Sequence, residues 1–282
     1  MVAANFEMLP QHWDRLNKSG DRYKQCYGHA AIVSGPSGKG GAARLAARGA
    51  LRIGAGLVSV VCSDDARQEH AAHLDAIMVK PFGNSASFTD CLIDIGPDAM
   101  CIGPNLGLDH LAKTVFLDGL LQSCPKCIDA DAITLLSQNP TLQLSPQDVM
   151  TPHEGELRRY IPAGFAQTSC RETLARIAAE KVNSVVLFKG SDTIIAAPNG
   201  ACSVVTSQGY KNVSWLATAG SGDVLSGFIT GLLARGFSAF DAACTGAYLH
   251  LECAELFGPG LIAEDIPEML PRVFNAAYRA CT

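Results

Sequence analysis

Short, nearly all-apolar runs alternate along this chain with longer amphipathic ones, and that alternation is what most restricts its fold. The runs at 29–34, 57–62, 99–102, 126–129 and 184–189 have the length and composition of buried strands. Between them, 42–53, 108–121 and 171–182 carry apolar residues at helical spacing, and the Ala-rich face of the first suits tight packing on a sheet. Strands that are apolar on both faces need helices over both, so the pattern predicts an α/β fold with a mostly parallel sheet covered on each side. Such a sheet opens its ligand sites at the carboxyl ends of its strands. Two short runs around Pro198-Asn199-Gly200 predict an antiparallel hairpin at the sheet edge over 193–206. Beyond residue 220 the chain reads as helical almost to its end, with breaks near Gly236 and Gly258-Pro259-Gly260. Residues 1–28 read as an ordered lead-in and 29–282 as one domain, since no linker interrupts them.

Composition narrows the function classes. A formal net charge of −5 without long runs leaves no basic footprint for nucleic acid. With 48% hydrophobic and 17% charged residues the chain is not disordered. No apolar run reaches the roughly 18 to 20 residues that cross a bilayer. The start, Met1 to Glu7, lacks the basic-then-apolar pattern of a secretory signal, so a cytoplasmic protein without membrane contact is expected. Eleven cysteines are an odd number, and most, such as Cys62, Cys101, Cys244 and Cys253, sit in apolar segments, which predicts buried reduced thiols. Cys124-Pro125-Lys126-Cys127 has no second pair to complete a zinc set.

The run Thr218-Ala219-Gly220-Ser221-Gly222-Asp223 places a small-residue turn and one carboxylate directly before an apolar stretch. A helix starting at Asp223 directs unpaired first-turn N–H groups at whatever precedes it, and small residues let a phosphate approach. An Asp there is commonly an N-cap; the companion motifs favour a base at the rim of an anion hole. Gly35-Pro36-Ser37-Gly38-Lys39-Gly40-Gly41 invites comparison with a P-loop, but Val33 and Gly40 occupy two of that motif's fixed positions. What remains is a glycine loop leading into a helix near Ala42. Gly103-Pro104-Asn105-Leu106-Gly107 is a second strand-end loop, in which Asn105 can take a positive φ. Asp129-Ala130-Asp131-Ala132 offers two carboxylates, either for a magnesium–phosphate group held through water or, for Asp131, as a helix cap. Thr151-Pro152-His153-Glu154-Gly155-Glu156 puts a histidine and a carboxylate three apart where a short helix opens. Lys189-Gly190-Ser191-Asp192-Thr193 follows a strand, and its amides and hydroxyls could line a nucleotide, with Lys189 either facing it or lying on the surface.

Taken together, these runs resemble the ADP-dependent NAD(P)H-hydrate dehydratases of the ribokinase-like superfamily over roughly residues 28 to 275. The most specific parts are 41–48 continuing into 50–58, Thr-Pro-His-x-Gly-Glu at 151–156 and Asp-Ala-Asp-Ala at 129–132; the Gly-Ser-Gly-Asp turn is shared with sugar and vitamin kinases. The resemblance implies a three-layer α/β/α fold without a lid. It also implies removal of water from hydrated NADH or NADPH with consumption of ADP, or of ATP. By that analogy Lys189, Gly190, Ser191, Asp192, Thr193, Gly220, Ser221 and Gly222 contact the adenine nucleotide. Ala42, Asn105, Gly107, His153 and Asp223 contact the hydrated dinucleotide, with Asp223 as catalytic base. Glu156 matches a magnesium-associated acid, and Asp131 is a water-mediated candidate for Mg2+. A homo-oligomer, often a tetramer, is implied too. Bifunctional relatives place an epimerase domain ahead of this one, so epimerisation is expected from another protein or another part of a longer chain. Ala219, Asn105 and Gly40 depart from the family pattern without removing a functional side chain. A small-molecule hydroxyl kinase, whose product keeps the phosphate, and a non-catalytic nucleotide-binding module are the competing readings.

Overall fold

The computed structural model describes residues 3–18 and 20–281; Met1, Val2, Ser19 and Thr282 of the segments read above lie outside them. Its strands are β1 (Ala4–Asn5), β2 (His29–Val33), β3 (Leu57–Ser63), β4 (Met78–Phe82), β5 (Ala99–Ile102), β6 (Lys126–Ile128), β7 (Val149–Met150), β8 (Val185–Phe188), β9 (Thr193–Ala196) and β10 (Cys202–Val205). They form one sheet in the order β1-β10-β9-β8-β7-β6-β5-β2-β3-β4. Seven neighbours from β8 to β4 pair in parallel, and β9 runs against both β8 and β10. The five strands expected from apolar runs are present, as is the hairpin. The hairpin is not the sheet edge, because β1 of the lead-in pairs with β10 beyond it. Three strands escaped the apolar pattern: β1 and β7 have two residues each, and Met78–Phe82 contains Lys80 and Pro81.

Burial on both faces is visible within a single strand. On β2, Ala30 and Ile32 belong to one core, whereas Ala31 and Val33 belong to the other, as period-two alternation requires. The helices Gly41–Arg52, Ser221–Ala234 and Ala239–Phe257 cover the first face; Ser85–Ile95, His110–Leu120, Ala130–Gln138 and Arg171–Val182 cover the second. This is the expected three-layer arrangement, and every described strand belongs to the single sheet, with no separate lid strands. The ten cysteines whose side chains are described are free thiols; Cys62, Cys101, Cys127, Cys244 and Cys253 are buried. Among the described residues no helix is long and apolar enough to cross a membrane.

Strand order sets the place for ligands. The chain steps outward from β2 to β3 and β4, then returns to β5 on the other side of β2, so the crevice outside the carboxyl ends of β2 and β5 is the switch point. The two glycine loops meet there, so closely that a Cβ on Gly35 would lie 1.8 Å from the Asn105 carbonyl oxygen.

Close approach also seats the Ser221–Ala234 helix. A Cβ added to Gly227 would lie 2.0 Å from the Ala46 carbonyl oxygen, and one on Gly231 would lie 2.7 Å from that of Ala50. Glycine's absent side chain thus lets this helix settle onto Gly41–Arg52 at backbone contact. Alanine is the better helix former by about 1 kcal/mol, but overpacking against rigid backbone costs about 1 to 3 kcal/mol and more when nothing can move. Gly227→Ala is therefore expected to lower stability by about 1 to 2 kcal/mol net, read as a reduced midpoint in urea unfolding; an unchanged or raised midpoint would contradict this packing.

Candidate active site

Loops from the carboxyl ends of β2, β5, β6, β7 and β8 carry the motifs at 35–41, 103–107, 129–132, 151–156 and 189–193. The first turn of the Ser221–Ala234 helix joins them. Ser226 Oγ donates to Asp129 Oδ2 at 2.6 Å, and a Cβ on Gly222 would lie 3.6 Å from Lys189 Nζ.

Asp223 is not the helix cap. The helix begins two residues earlier than expected, at Ser221, with Gly220 in the left-handed region (φ 86°) as N-cap and no side-chain capping bond. Asp223 lies in the first turn, half-buried, and accepts no hydrogen bond from a described protein group. Burial is the main force on its carboxyl; the Asp129 charge adds to it and Lys189 opposes it, and together they lift its pKa from 3.8 to about 6. Such a group is ionised near neutral pH yet basic enough to take a proton. The Ser221 amide donates to Thr218 O at 3.4 Å and that of Val224 to Gly220 O at 3.1 Å. Among the described residues the Gly220, Gly222 and Asp223 amides have no protein acceptor, which leaves a row of donors at a helix N-terminus. Beneath them His250 donates from Nε2 to the Ser221 carbonyl at 3.0 Å. Burial pushes the His250 pKa down to about 4, so the imidazole is neutral and fixes the turn without adding charge.

Lys189 is not a surface cation. Its ammonium donates to Asp129 Oδ1 at 2.9 Å, with the carboxylate side chain only 3% exposed. Burial is the largest single effect and works against both charges, but the partner together with its neighbours (Ser226 and Thr151 around Asp129, Glu156 near Lys189) outweighs it: Asp129 stays below the usual carboxylate range and Lys189 above the usual amine range. The pair lies beside Asp223 and contributes one charge of each sign to its surroundings.

The remaining candidates fall into three groups. Asn105 has the expected positive φ, 51°, and its side-chain amide reaches the Lys39 carbonyl at 3.4 Å, joining the two glycine loops; Gly107 follows with φ 93°. Ala42 is buried at the start of the Gly41–Arg52 helix. His153 is exposed and caps the Glu154–Tyr160 helix in a reciprocal box: the Glu156 amide donates to His153 Nδ1 at 3.3 Å, and the His153 amide donates to Glu156 Oε2 at 2.9 Å. Asp131 does not cap its helix; its Oδ2 accepts from the Gly107 amide at 2.8 Å and so holds the second glycine loop. Asp192 accepts from Thr206 Oγ1 and the Ser207 amide, organising the hairpin's far end, and Thr193 opens β9; among the described residues the Gly190, Ser191 and Asp192 amides have no protein acceptor. Among the described residues no three His, Cys, Asp or Glu side chains converge on a metal position.

Several site residues went unread in the sequence. Glu69 accepts from the Gly38 amide at 2.7 Å and from Arg44 at 2.6 Å, and Asp65 accepts from the Ser37 amide at 3.2 Å. The first glycine loop therefore has two of its amides occupied by protein carboxylates, which narrows its expected role in anion binding. Ser226 carried one usable signal, a polar residue one turn beyond Asp223 on a mostly apolar helix.

A family model described as NAD(P)H-hydrate dehydratase matches residues 30–270. The chain belongs to that family. An ADP-dependent (S)-NAD(P)H-hydrate dehydratase of Neisseria meningitidis is 31% identical over 270 residues, covering 87% of this chain and 84% of the relative. A bifunctional NAD(P)H-hydrate repair enzyme of Coxiella burnetii is 32% identical over 271 residues, 93% of this chain but 52% of the relative. The chain spans about half the length of such bifunctional relatives. The crystal structure of an ADP/ATP-dependent NAD(P)H-hydrate dehydratase from Bacillus subtilis, co-crystallised with ATP and Mg2+, superposes with a TM-score of 0.83 at 28% identity, covering 98% of this chain and 99% of that one. Adenosine kinase of Trypanosoma brucei, at 15% identity and TM-score 0.54, shares the ribokinase-like fold.

In this family member Asp223 has a consequence for stability. Its pKa is raised in the fold, so the protonated carboxyl is the favoured form: its contribution is complete below about pH 4 and is lost as pH rises through about 6. Asp223→Asn, which cannot ionise, is expected to be more stable than the parent by roughly 1 to 3 kcal/mol at pH 8, with the difference closing toward pH 4. Urea unfolding of both proteins at the two pH values measures this; an equal difference at both would show that the carboxyl is not held up by its surroundings.

Proposed function

We propose that this chain removes water from the hydrated nicotinamide of NADH or NADPH, using ADP or ATP as phosphoryl donor, and so restores the reduced dinucleotide. The observation that carries this reading is Asp223: a half-buried carboxylate with its pKa lifted to about 6, without protein partners, beside free amides at a helix N-terminus. Family membership and the activity of the Neisseria relative support the same substrate. In this scheme Lys189 to Thr193 and the 220–222 turn receive the nucleotide. Ala42, Asn105, Gly107 and His153 receive the dinucleotide.

Hydroxide is a poor leaving group, and phosphorylation changes that. Asp223 takes the proton of the C6 hydroxyl as its oxygen attacks the terminal phosphoryl group, releasing AMP when ADP is the donor. The Gly220, Gly222 and Asp223 amides face the charge that develops on the phosphoryl oxygens. The ring nitrogen then pushes out phosphate, and loss of a proton from the neighbouring carbon restores the double bond. A magnesium ion carried on the nucleotide's phosphates would neutralise part of their charge. Glu156 and Asp131 each already hold a backbone amide, so they suit a metal reached through water better than direct coordination.

Residues 29–282 are proposed as the catalytic domain, with β1 of the lead-in bracing its edge. Assembly into a homo-oligomer belongs to the same proposal, supported by exposed Leu256, Phe257 and Ile262 near one another in the chain. Epimerisation of the hydrate is assigned to another domain or protein.

Incubation with hydrated NADH and ADP is expected to restore the absorbance of reduced nicotinamide and to release phosphate in equal amount. Accumulation of a stable phosphorylated alcohol instead would make the protein a kinase. Asp223→Asn is expected to bind both ligands yet turn over about 10²- to 10⁴-fold more slowly; near-normal turnover would remove Asp223 from the mechanism.

A further inference from the structure

Arg171 opens the Arg171–Val182 helix and lies behind the 189–192 loop. Its Nη2 donates to the Lys189 carbonyl at 2.9 Å and lies 3.4 Å from that of Phe188 and 3.5 Å from that of Asp192. The guanidinium stacks on the Phe188 ring, 3.8 Å from its centroid. A Cβ on Gly190 would lie 2.3 Å from Nη2, so the loop closes over the cation only because residue 190 is glycine. The charge is weakly matched. Its buried Nε–H has no partner, and Glu154, the carboxylate paired with it, is 4.0 Å away and also binds Arg158 at 2.9 Å.

The grip on the Lys189 carbonyl has a geometric consequence. In a planar trans peptide the C=O and the following N–H point in opposite directions, and none of the described peptides is cis. With its carbonyl held by Arg171, the 189–190 peptide turns the Gly190 N–H to the far side of the loop. Gly190 is exposed, and no described protein group accepts from its amide or from that of Ser191. The guanidinium thereby polarises this peptide and leaves its positive end toward an incoming anion.

We propose that Arg171 is a positioning residue for the phosphoryl donor: it aims the Gly190 amide at a nucleotide phosphate by holding the loop's carbonyls from behind. The proposal rests on the reading of 189–193 as the nucleotide loop. Lysine lacks the planar group that stacks flat on the Phe188 ring while one of its nitrogens holds the carbonyls, so it is not an equivalent here.

The test is calorimetric titration of ADP into the resting wild-type protein and into Arg171→Lys and Arg171→Met, followed by steady-state kinetics with the hydrate. Both variants are expected to bind ADP about 10- to 100-fold more weakly and to show a matching rise in KM for ADP. Their kcat at saturating ADP and KM for the hydrate should stay within about twofold of wild type. Parallel losses for both substrates would reduce Arg171 to a structural role, and unchanged ADP affinity would overturn the proposal. If Arg171→Met fails to fold, the Lys variant decides the matter by the same titration. Wild-type protein that binds ADP but leaves the hydrate intact would overturn the dehydratase reading while the titrations still judge Arg171. Wild-type protein that does not bind ADP would overturn both.

Discussion

The buried ion pair between Asp129 and Lys189 is the contact around which the site is organised. It ties the end of β6 to the end of β8, and through Ser226 it ties both to the Ser221–Ala234 helix. A buried pair of this kind is seldom a net source of stability, because desolvation of two charges offsets most of their attraction. Its role here is local. It fixes the distance between the 189–193 loop and the helix N-terminus, and it sets the field that Asp223 feels: Asp129 discourages ionisation and Lys189 limits how far. The base and the phosphate cradle are thus adjusted by one interaction.

The loops around that centre are held from behind by protein groups. Glu69 and Asp65 take amides of the first glycine loop, Asp131 takes the Gly107 amide, and Arg171 takes carbonyls of the 189–192 loop. Asp131, which looks like a metal ligand in the sequence, therefore serves as an anchor, as do three charged residues that the sequence did not single out. Flexible glycine loops acquire a fixed shape without ligand, which lowers the entropy lost on binding. Ala130, at φ 47° directly after Asp129, shows that the backbone accepts some strain at this point to present the carboxylate.

Fold and site differed in how much the sequence disclosed. Buried parallel strands are written in continuous apolar runs, so β2, β3, β5, β6 and β8 were legible; β7 has two residues and β4 carries a lysine and a proline, and neither leaves a periodic signal. Strand-end loops announced themselves through glycine, and Asn105 at positive φ bears out that reading. What single side chains do inside the site was far less visible. Asp131 as an anchor, Lys189 as half of a buried pair and Arg171 behind its loop depend on partners 18 to 60 residues away, brought near by strand order. No local pattern encodes such contacts; the resemblance to a family supplied positions, and the geometry supplied reasons.

The proposed chemistry needs Asp223 to be a carboxylate whose basicity its surroundings have raised. Selective 13C labelling of aspartate, with the Asp223 signal assigned by comparison with Asp223→Asn, allows its ionisation to be followed in the ligand-free protein. The expected midpoint is about pH 6. A midpoint in the ordinary range near 3.8 would mean that the carboxylate is solvated like any surface group, and the general-base role would lose its physical foundation.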